Sequence, residues 1–427
     1  MIWLLLIFLA AAGLRLAGPY LQETFFAHRQ FLISGPELYG HYKSDELVYN
    51  FTAKSILEGR GISLKADEVV ATEKGYYDEK LVRFLDETYR LRGKQDKTDP
   101  GYWHHNLIPP LYSAFLALVY FLFGVKTLAY FIPQVILGAL TCLIIYFIAQ
   151  ELFDDKVAMV ACLAAAFYPE LVLWSYMIRP EILYIFLLTA GLLLVIKGNK
   201  YSNIFLIVAG GTILGLASLT RITLLLFFPL LVIWQFWFAE KKKMILTAVL
   251  LLSLLLVLVP WAVRNYIVFN EFTFFTNEVS VVLVDHMPLE KIENSRSPSA
   301  FLGQFYNYFI GDPGGYFYHS LGRLVTYLSP FTPGMDKFAK IYKFIGWLVI
   351  FPAGFIGIVL SVLKAWRRSS LLILFIAYYI AVHSATCVDI GLVYRYPIIP
   401  LMGIFAAYAY VSFISWYLSN KKIGAAG

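Results

Sequence analysis

Apolar residues in this chain fall in long runs, and the connectors between these runs carry most of the charged residues. After a first run at 1–14, the runs cover about 108–123, 127–150, 157–174, 181–197, 203–219, 222–238, 244–263, 343–363, 370–387 and 397–418. Most approach the ~20 residues that an α-helix needs to cross a bilayer. The pattern predicts an all-α, polytopic integral membrane protein. It excludes an outer-membrane β-barrel, whose strands alternate polar and apolar positions.

The basic residues in the connectors predict the topology, because cytoplasmic loops are enriched in Lys and Arg. If every run spanned the membrane with the N-terminus inside, three basic clusters would lie outside: Lys241 to Lys243, Lys364 to Arg368, and Lys421 with Lys422. The run 108–123 is short, begins at Pro109-Pro110 and ends at Gly124, so we interpret it as an interfacial helix. All three clusters then become cytoplasmic. The sequence thus predicts about ten spanning helices, with 1–14 as part of an uncleaved first helix.

This topology places two large segments outside the cytoplasm, about 18–126 and 264–342, while the cytoplasmic connectors have only a few residues. Catalytic and binding residues are concentrated on long loops. We therefore expect a protein of the inner, cytoplasmic membrane whose site faces away from the cytoplasm. The chain divides into a transmembrane module at 1–263, a large extracytoplasmic loop at 264–342 and C-terminal transmembrane helices at 343–427.

The first outer segment contains elements of its own. Ser44–Glu58 has an N-cap residue and a partial apolar face, which predicts a short amphipathic helix at the membrane surface that ends at Gly59 and Gly61. A second helix is expected near Asp78–Leu91. The residues Asp99-Pro100-Gly101 then predict a turn.

Composition and charge narrow the class of protein further. Of 427 residues, 59% are hydrophobic and 15% charged, against roughly 25% charged in soluble domains. The net charge of +7 comes from basic residues at helix ends, so we expect no nucleic-acid partner. The three cysteines, Cys142, Cys162 and Cys387, lie in or beside apolar runs, which predicts neither a disulfide framework nor a CxxC metal site.

Charged residues near membrane depth are costly and mark functional sites. The topology places six such features on the outer face: Asp45-Glu46, Arg179 with Glu181, Arg221, Arg264-Asn265, Asp389 and Arg395. Carboxylates can accept a proton or hold a metal, and arginines bind phosphate oxygens. Together they indicate group transfer from a phosphorylated donor. The alternative is structural, with arginines that reach lipid headgroups and with Asp45-Glu46 at a helix N-terminus favoured by its dipole.

The motif DELVYNFTAKSILEG, which starts at Asp45, resembles the first-loop motif of the GT-C glycosyltransferases, in particular the protein O-mannosyltransferase and aminoarabinose transferase group. Similar motifs follow in family order along the chain: Pro109-Pro110-Leu111-Tyr112, Arg179-Pro180-Glu181, Gly215 to Arg221, Pro260 to Tyr266 and Arg395-Tyr396-Pro397. The resemblance implies the GT-C fold, with interfacial helices in the first outer loop. The chain departs from the family's second Asp after the third spanning helix, where it has Arg179-Pro180-Glu181.

The resemblance also implies an activity. One sugar would pass, with inversion, from a polyprenyl-phosphate donor to an extracytoplasmic lipid, glycan or protein. Asp45 would be the general base, and Glu46 and Glu181 would orient it or bind sugar hydroxyls. The arginines expected to hold the donor phosphate are Arg264, Arg395, Arg179 and Arg221. Tyr49, His104, His105 and Asn265 are candidates for binding the sugar or acceptor.

No cofactor is expected, because the lipid phosphate is a substrate and its leaving group is already ionised. His104-His105 is a weak metal motif without a third ligand at a suitable spacing, so no metal is predicted. Two other classes of protein share these features. A polysaccharide polymerase or ligase also uses a lipid-linked donor at the outer face. A lipid or solute transporter also carries intramembrane charges, although its two halves would be related by internal symmetry, which the sequence lacks.

Overall fold

A computed structural model of the chain describes residues 2–25, 44–65, 93–276, 306, 309–331, 337–386 and 393–424. Four predicted features lie wholly or partly outside these residues: the helix near Asp78–Leu91, positions 277–305, 307–308 and 332–336 of the loop 264–342, Cys387 and Asp389. Asp45 lies in a described helix, although its side chain is not described.

The helices follow the predicted apolar runs. They are α1 (Ile2–Phe25), α2 (Ser44–Leu57), α3 (Pro110–Phe123), α4 (Thr127–Leu152), α5 (Asp155–Phe167), α6 (Pro169–Leu173), α7 (Glu181–Lys200), α8 (Ile204–Ser218), α9 (Phe228–Phe238), α10 (Lys243–Phe269), α11 (Pro313–Leu328), α12 (Lys337–Thr386) and α13 (Ile399–Gly424). Three short 3₁₀ helices, Trp174–Tyr176, Ile222–Phe227 and Val393–Ile398, adjoin α6, α9 and α13.

Among the described residues, five helices are long and apolar enough to cross a membrane: Thr127–Leu152, Glu181–Lys200, Lys243–Phe269, Lys343–Ala385 and Tyr394–Lys421. A sixth span results if Asp155–Phe167 and Pro169–Tyr176 are taken together, with a bend of 54° between them. The apolar parts of α1, α3, α8 and α9 are shorter. The chain is thus a multi-pass α-helical membrane protein, as predicted. The number of about ten spans stays a prediction.

The longest helix, α12, turns back on itself at Ala365, whose backbone is not helical (φ −144°, ψ 25°). The Ser361 hydroxyl donates to the Ser369 hydroxyl oxygen at 2.6 Å. Eight residues of straight helix would separate these positions by about 12 Å along the axis. Only a sharp reversal brings the two side chains together.

Contacts with α11 show the same reversal. Trp347 Nε1 donates to Leu328 O at 2.7 Å, and Arg323 Nε donates to Ser384 O at 2.9 Å. A straight helix would hold Trp347 and Ser384 about 55 Å apart, more than twice the length of α11. Helix α12 is therefore a hairpin, and its two arms correspond to the runs 343–363 and 370–387.

A small antiparallel sheet, which the sequence did not predict, follows α2. Its strands are β1 (Ser63–Lys65), β2 (Lys94–Gln95) and β3 (Tyr102–His104), in the order β1-β3-β2. The predicted turn at 99–101 joins β2 to β3, and Tyr102 N donates to Asp99 O at 3.0 Å. The sheet is held to the end of α10 by Lys94 Nζ, which donates to Val268 O at 2.5 Å.

Helix α2 is enclosed more completely than its amphipathic pattern predicts. Leu47, Val48, Tyr49 and Asn50 are consecutive and all buried, and successive helical residues point about 100° apart. The helix therefore has no open face at this level. It ends as predicted, because Gly59 (φ +76°) and Gly61 (φ +67°) adopt a backbone conformation that favours glycine.

Candidate functional site

Glu46 and Arg179 form a buried ion pair at one end of the helix bundle. Arg179 Nε lies 3.3 Å from Glu46 Oε1, and the two residues are 1% and 8% exposed. Glu46 lies in the first turn of α2, where the helix dipole favours an acid. Arg179 lies between the 3₁₀ helix Trp174–Tyr176 and α7. The two residues were predicted as site members, and the structure brings them into contact.

Glu181 and Arg221 form a second buried ion pair, in which Arg221 Nη2 donates to Glu181 Oε1. Glu181 is the first residue of α7, and Arg221 follows the end of α8. Both are at most 9% exposed. Helices α7 and α8 run antiparallel and are joined by a short turn, so the start of one meets the end of the other.

Pro180 separates Arg179 of the first pair from Glu181 of the second. The four side chains therefore come from α2, from the segment before α7, from α7 and from the end of α8. Burying a charge is costly unless it is paired. Because each carboxylate has an arginine, the four charges can lie inside the protein at one end of the bundle.

Aromatic rings lie against both arginines. The Arg179 guanidinium lies 5.3 Å from the centre of the Trp174 ring, and that of Arg221 lies 5.5 Å from the Tyr394 ring. Trp174 also packs on Tyr396, with the ring centres 4.6 Å apart. The 3₁₀ helix Val393–Ile398 therefore supports both ion pairs, and the cation–π contacts add to their stability.

Arg264 lies near the C-terminal end of α10 and has a different environment. Its Nη2 donates to Ile62 O at 2.9 Å, and its Nη1 donates to Asn265 Oδ1 at 3.1 Å. Within the part of the chain that the structure describes, no carboxylate pairs with Arg264. Asn265 Nδ2 donates to Thr273 O at 3.1 Å. The positive charge of Arg264 is thus not balanced by any carboxylate that the structure describes.

Arg395 is fully buried and contacts the end of α11. Its Nη1 donates to Tyr327 O at 3.2 Å and to Ser329 O at 2.6 Å, while the guanidinium lies 5.0 Å from the Phe351 ring centre. A cation at a helix C-terminus satisfies carbonyls that lack helical partners. The structure therefore gives Arg395 a capping role, and its predicted contact with phosphate stays a prediction.

The two adjacent histidines have different partners. His104 Nε2 lies 3.1 Å from Asp96 Oδ2, whose pKa is lowered to about 2 by hydrogen bonds from the Thr98 side chain and backbone. His105 is 1% exposed, and its Nε2 lies 2.9 Å from Thr52 Oγ1 on α2. Burial, with the charge of Arg264, lowers the pKa of His105 to about 3. His105 is thus neutral, and its hydrogen bond with Thr52 joins the end of β3 to α2.

Tyr49 is buried, and its ring packs edge-on against Tyr112 with centres 5.0 Å apart. It lies on α2 one turn after Asp45 and Glu46, as the motif implies. Among the described residues, no three His, Cys, Asp or Glu side chains come together as metal ligands.

Two buried polar residues of this region were missed in the sequence. Gln134 of α4 is 0% exposed, and Glu170 of α6 is 2% exposed, with Lys343 Nζ 3.9 Å from its Oε1. Each is an isolated polar residue next to a proline inside an apolar run. That combination was a signal for both, because polar side chains are rare at membrane depth.

Comparison with known proteins relates this arrangement to a fold. The family model of dolichyl-phosphate-mannose-protein mannosyltransferases matches residues 108–264. The apo crystal structure of the Archaeoglobus fulgidus oligosaccharyltransferase superposes with a TM-score of 0.59 at 14% identity, covering 100% of this chain and 52% of that one. The chain has the GT-C fold. This confirms the resemblance predicted from the ordered motifs.

Two further GT-C structures are similar. AglB of A. fulgidus, in complex with an inhibitory peptide and a dolichol-phosphate, has a TM-score of 0.59 at 12% identity, with 99% of this chain and 52% of AglB covered. ArnT from Cupriavidus metallidurans, bound to undecaprenyl phosphate, has a TM-score of 0.54 at 15% identity, with 95% and 58% covered. The chain thus spans little more than half the length of these proteins. A search of curated protein sequences gives no match.

The matched region contains both members of the second ion pair and the arginine of the first. It starts two residues before α3 and ends at Arg264, so it includes Arg179, Glu181 and Arg221. Glu46 and Arg395 lie outside it. The second ion pair therefore lies wholly within the matched region, and the first pair joins that region to α2.

Proposed function

We propose that this protein is a glycosyltransferase that moves one sugar, with inversion, from a polyprenyl-phosphate donor to an acceptor outside the cytoplasm. The observation that carries the proposal is the group of buried charges at one end of the bundle. Two carboxylate–arginine pairs lie there, together with Arg264, whose charge no described carboxylate balances. The GT-C fold and the matched mannosyltransferase family support the proposal.

Charge compensation distinguishes the arginines. Arg179 and Arg221 are paired with acids, and Arg395 donates to carbonyls of α11. In this proposal, Arg264 is therefore the main ligand of the donor phosphate. A guanidinium can bind two phosphate oxygens at once and stabilise the charge that develops on the leaving group. The structure of ArnT with undecaprenyl phosphate supports a lipid phosphate as the ligand class.

Asp45 would accept the proton of the acceptor hydroxyl. It precedes Glu46 on α2, so its backbone lies beside the first ion pair. General base catalysis by a positioned carboxylate contributes typically 10²- to 10⁴-fold in rate. Glu46 and Glu181 would then act mainly by holding Arg179 and Arg221. Phosphate is a good leaving group, so we propose a reaction that needs no metal.

The experiment is a donor screen with purified protein in nanodiscs. Undecaprenyl phosphates that carry single sugars are incubated with a membrane extract as acceptor source, and released undecaprenyl phosphate is measured by mass spectrometry. Wild type is compared with Asp45→Asn and with the control Asp155→Asn. Asp155 lies at the opposite end of the bundle, where Gln150 Nε2 donates to its Oδ1 at 2.7 Å.

We expect wild type and Asp155→Asn to consume one donor and Asp45→Asn to lose at least 100-fold in rate. Equal turnover by Asp45→Asn would remove Asp45 from the mechanism. Products that grow by several sugars would indicate a polymerase or ligase. If no donor is consumed and no undecaprenyl phosphate is released, the proposal is contradicted and a transporter is favoured.

A further inference from the structure

Gln134 is a fully buried amide in the second turn of the membrane-spanning helix α4. It follows Pro133 in an otherwise apolar run. Burying an amide without hydrogen bonds costs several kcal/mol, on the order of 2–7 kcal/mol by different scales. A glutamine at this place is stable only if its polar atoms are bonded within the protein.

The side-chain amide of Gln134 makes three hydrogen bonds, two as donor and one as acceptor. Gln134 Nε2 donates to Ser175 O at 3.2 Å and to Met177 O at 3.0 Å. Gln134 Oε1 accepts from the Tyr112 hydroxyl at 3.1 Å. Carbonyl oxygens can only accept, so they fix which end of the amide faces them. The side chain is therefore held in one orientation.

The two carbonyls belong to the segment that carries Arg179. Ser175 lies in the 3₁₀ helix Trp174–Tyr176, and Met177 follows it. Met177 O also accepts from Arg179 N at 2.8 Å. Gln134 thus fixes the backbone two residues before the arginine of the first ion pair.

The acceptor oxygen of Gln134 reaches the other partner of that ion pair through Tyr112. The Tyr112 ring packs edge-on against Tyr49 at 5.0 Å, and Tyr49 lies one turn after Glu46 on α2. Burial raises the pKa of Tyr112 well above its ordinary value. Its hydroxyl therefore stays protonated and remains a donor to Gln134.

We propose that Gln134 is a positioning residue that sets the geometry of the Glu46–Arg179 pair by binding the Arg179 segment and, through Tyr112, the α2 side of the site. This inference rests on the proposed function. It concerns a residue that touches neither the donor nor the acceptor and acts only through its neighbours. Misplacement of reacting groups by about 1 Å can cost on the order of 100-fold in rate.

The test uses Gln134→Met, which keeps the length of the side chain but removes the amide. Tyr112→Phe is a milder second variant, because it removes only one hydrogen bond. The matched control is Gln235→Met. Gln235 is also 0% exposed, and its Nε2 donates to Asn199 Oδ1 at 3.1 Å, near the turn between α7 and α8 at the opposite end of the bundle.

Two quantities are measured on full-length protein in nanodiscs. The first is kcat and KM for release of undecaprenyl phosphate from the donor identified above. The second is hydrogen–deuterium exchange of the amides at 174–180, which does not depend on activity. We expect Gln134→Met to lower kcat 10- to 100-fold with KM within twofold, and to speed exchange at 174–180 at least tenfold. Gln235→Met should change neither quantity more than twofold.

The two measurements separate the possible failures. Unchanged exchange in Gln134→Met would overturn the inference whether or not the protein has the proposed activity. Faster exchange with an unchanged kcat would also overturn it, because the segment would then move without consequence for transfer. If wild type releases no lipid phosphate from any donor, the proposed function fails, and exchange alone decides whether Gln134 holds the segment.

The double variant Gln134→Met with Tyr112→Phe adds a further criterion. If both residues act through one network, the loss in kcat of the double variant equals that of Gln134→Met alone. Losses that multiply would show independent effects and would contradict the role given to Tyr112.

Discussion

The Arg179 guanidinium lies 3.3 Å from the Glu46 carboxylate, although the two residues are 133 positions apart. The pair fastens α2, with Asp45 on it, to the segment that enters α7. Because both side chains are buried, neither charge can be compensated by water. The ion pair therefore both balances the two charges and holds α2 against the segment before α7.

Removing one member of this pair should destabilise the protein strongly. Glu46→Gln removes the carboxylate charge that lies 3.3 Å from Arg179 inside the protein, and breaking a buried ion pair costs about 3–5 kcal/mol. The double variant Glu46→Gln with Arg179→Gln should recover part of that loss. Thermal unfolding in detergent measures both effects.

Glu151→Gln is the control for that prediction. Glu151 Oε2 lies 2.7 Å from Lys200 Nζ, and its Oε1 lies 3.5 Å from Lys197 Nζ. The Glu151 side chain is 11% exposed, but those of its two lysine partners are 52% and 30% exposed. Pairs whose charges are reached by water contribute about 0–1 kcal/mol. Similar losses for Glu46→Gln and Glu151→Gln would contradict the distinction between buried and exposed pairs.

Arg264→Gln should reduce kcat/KM for the lipid-linked donor by about 100-fold, because one charged ligand of the phosphate is lost. Arg323→Gln is the matched control. Arg323 also donates to backbone carbonyls, those of Ser384 and Ala385, but it is not part of the proposed site. Steady-state kinetics with the identified donor should show a loss only for Arg264→Gln, and equal losses would refute the phosphate role.

Acid should destabilise the protein through His105. Its pKa is lowered to about 3 in the folded protein, from about 6.5 in an unfolded chain. Below pH 6.5 the unfolded chain binds a proton that the folded protein does not. Well above pH 6.5, His105 therefore does not reduce the free energy of unfolding. As the pH drops from 6.5 towards 3, the free energy of unfolding decreases. Between pH 7 and pH 5 the loss is about 2 kcal/mol.

The measurement is the unfolding of wild type and His105→Gln at several pH values. Wild type should lose more stability than the variant on acidification from pH 7 to pH 5. Parallel losses in the two proteins would show that His105 is not the buried neutral group described here.

Chelation tests the proposed independence from metal. We expect EDTA at millimolar concentration to leave the rate of transfer unchanged in the donor assay. A loss of activity that Mg²⁺ or Mn²⁺ restores would show that a carboxylate of the site, with Asp45 as the first candidate, binds a divalent cation.

Gly138 should be intolerant of a larger residue, because a Cβ there would lie 2.7 Å from Nε of the buried Arg15. Gly138→Ala should cost about 1–3 kcal/mol. Gly403→Ala is the control, since a Cβ at Gly403 would find its nearest neighbour at 3.9 Å. Thermal unfolding should separate the two variants, and equal stability would contradict the tight packing around Arg15.

Local features of the structure followed from the sequence. The membrane-spanning helices were predictable because a segment in lipid must satisfy its backbone hydrogen bonds internally. The end of α2 at Gly59 and the turn at Asp99 were predictable because they depend on the residues themselves. The two arms of α12 were separated correctly by the basic connector around Arg367.

The same sequence placed Glu46, Arg179, Glu181 and Arg221 on one face, but did not predict how they pair. Its reading of α2 as an interfacial amphipathic helix missed the enclosure of Val48 and Asn50. It named His105 as a candidate for binding the sugar or acceptor but did not predict its hydrogen bond with Thr52. The three-residue strands carry too short a pattern to stand out from the surrounding loop.

The sequence by itself determined the membrane-spanning class, the family resemblance and the set of candidate charges, because these depend on composition and order along the chain. Only the tertiary structure decided that Glu46 pairs with Arg179, that Arg395 caps α11, and that Gln134 joins Tyr112 to the Arg179 segment. Most of these contacts join residues that are more than 40 positions apart. Such contacts depend on how the helices pack against one another, and no local pattern in the sequence encodes them.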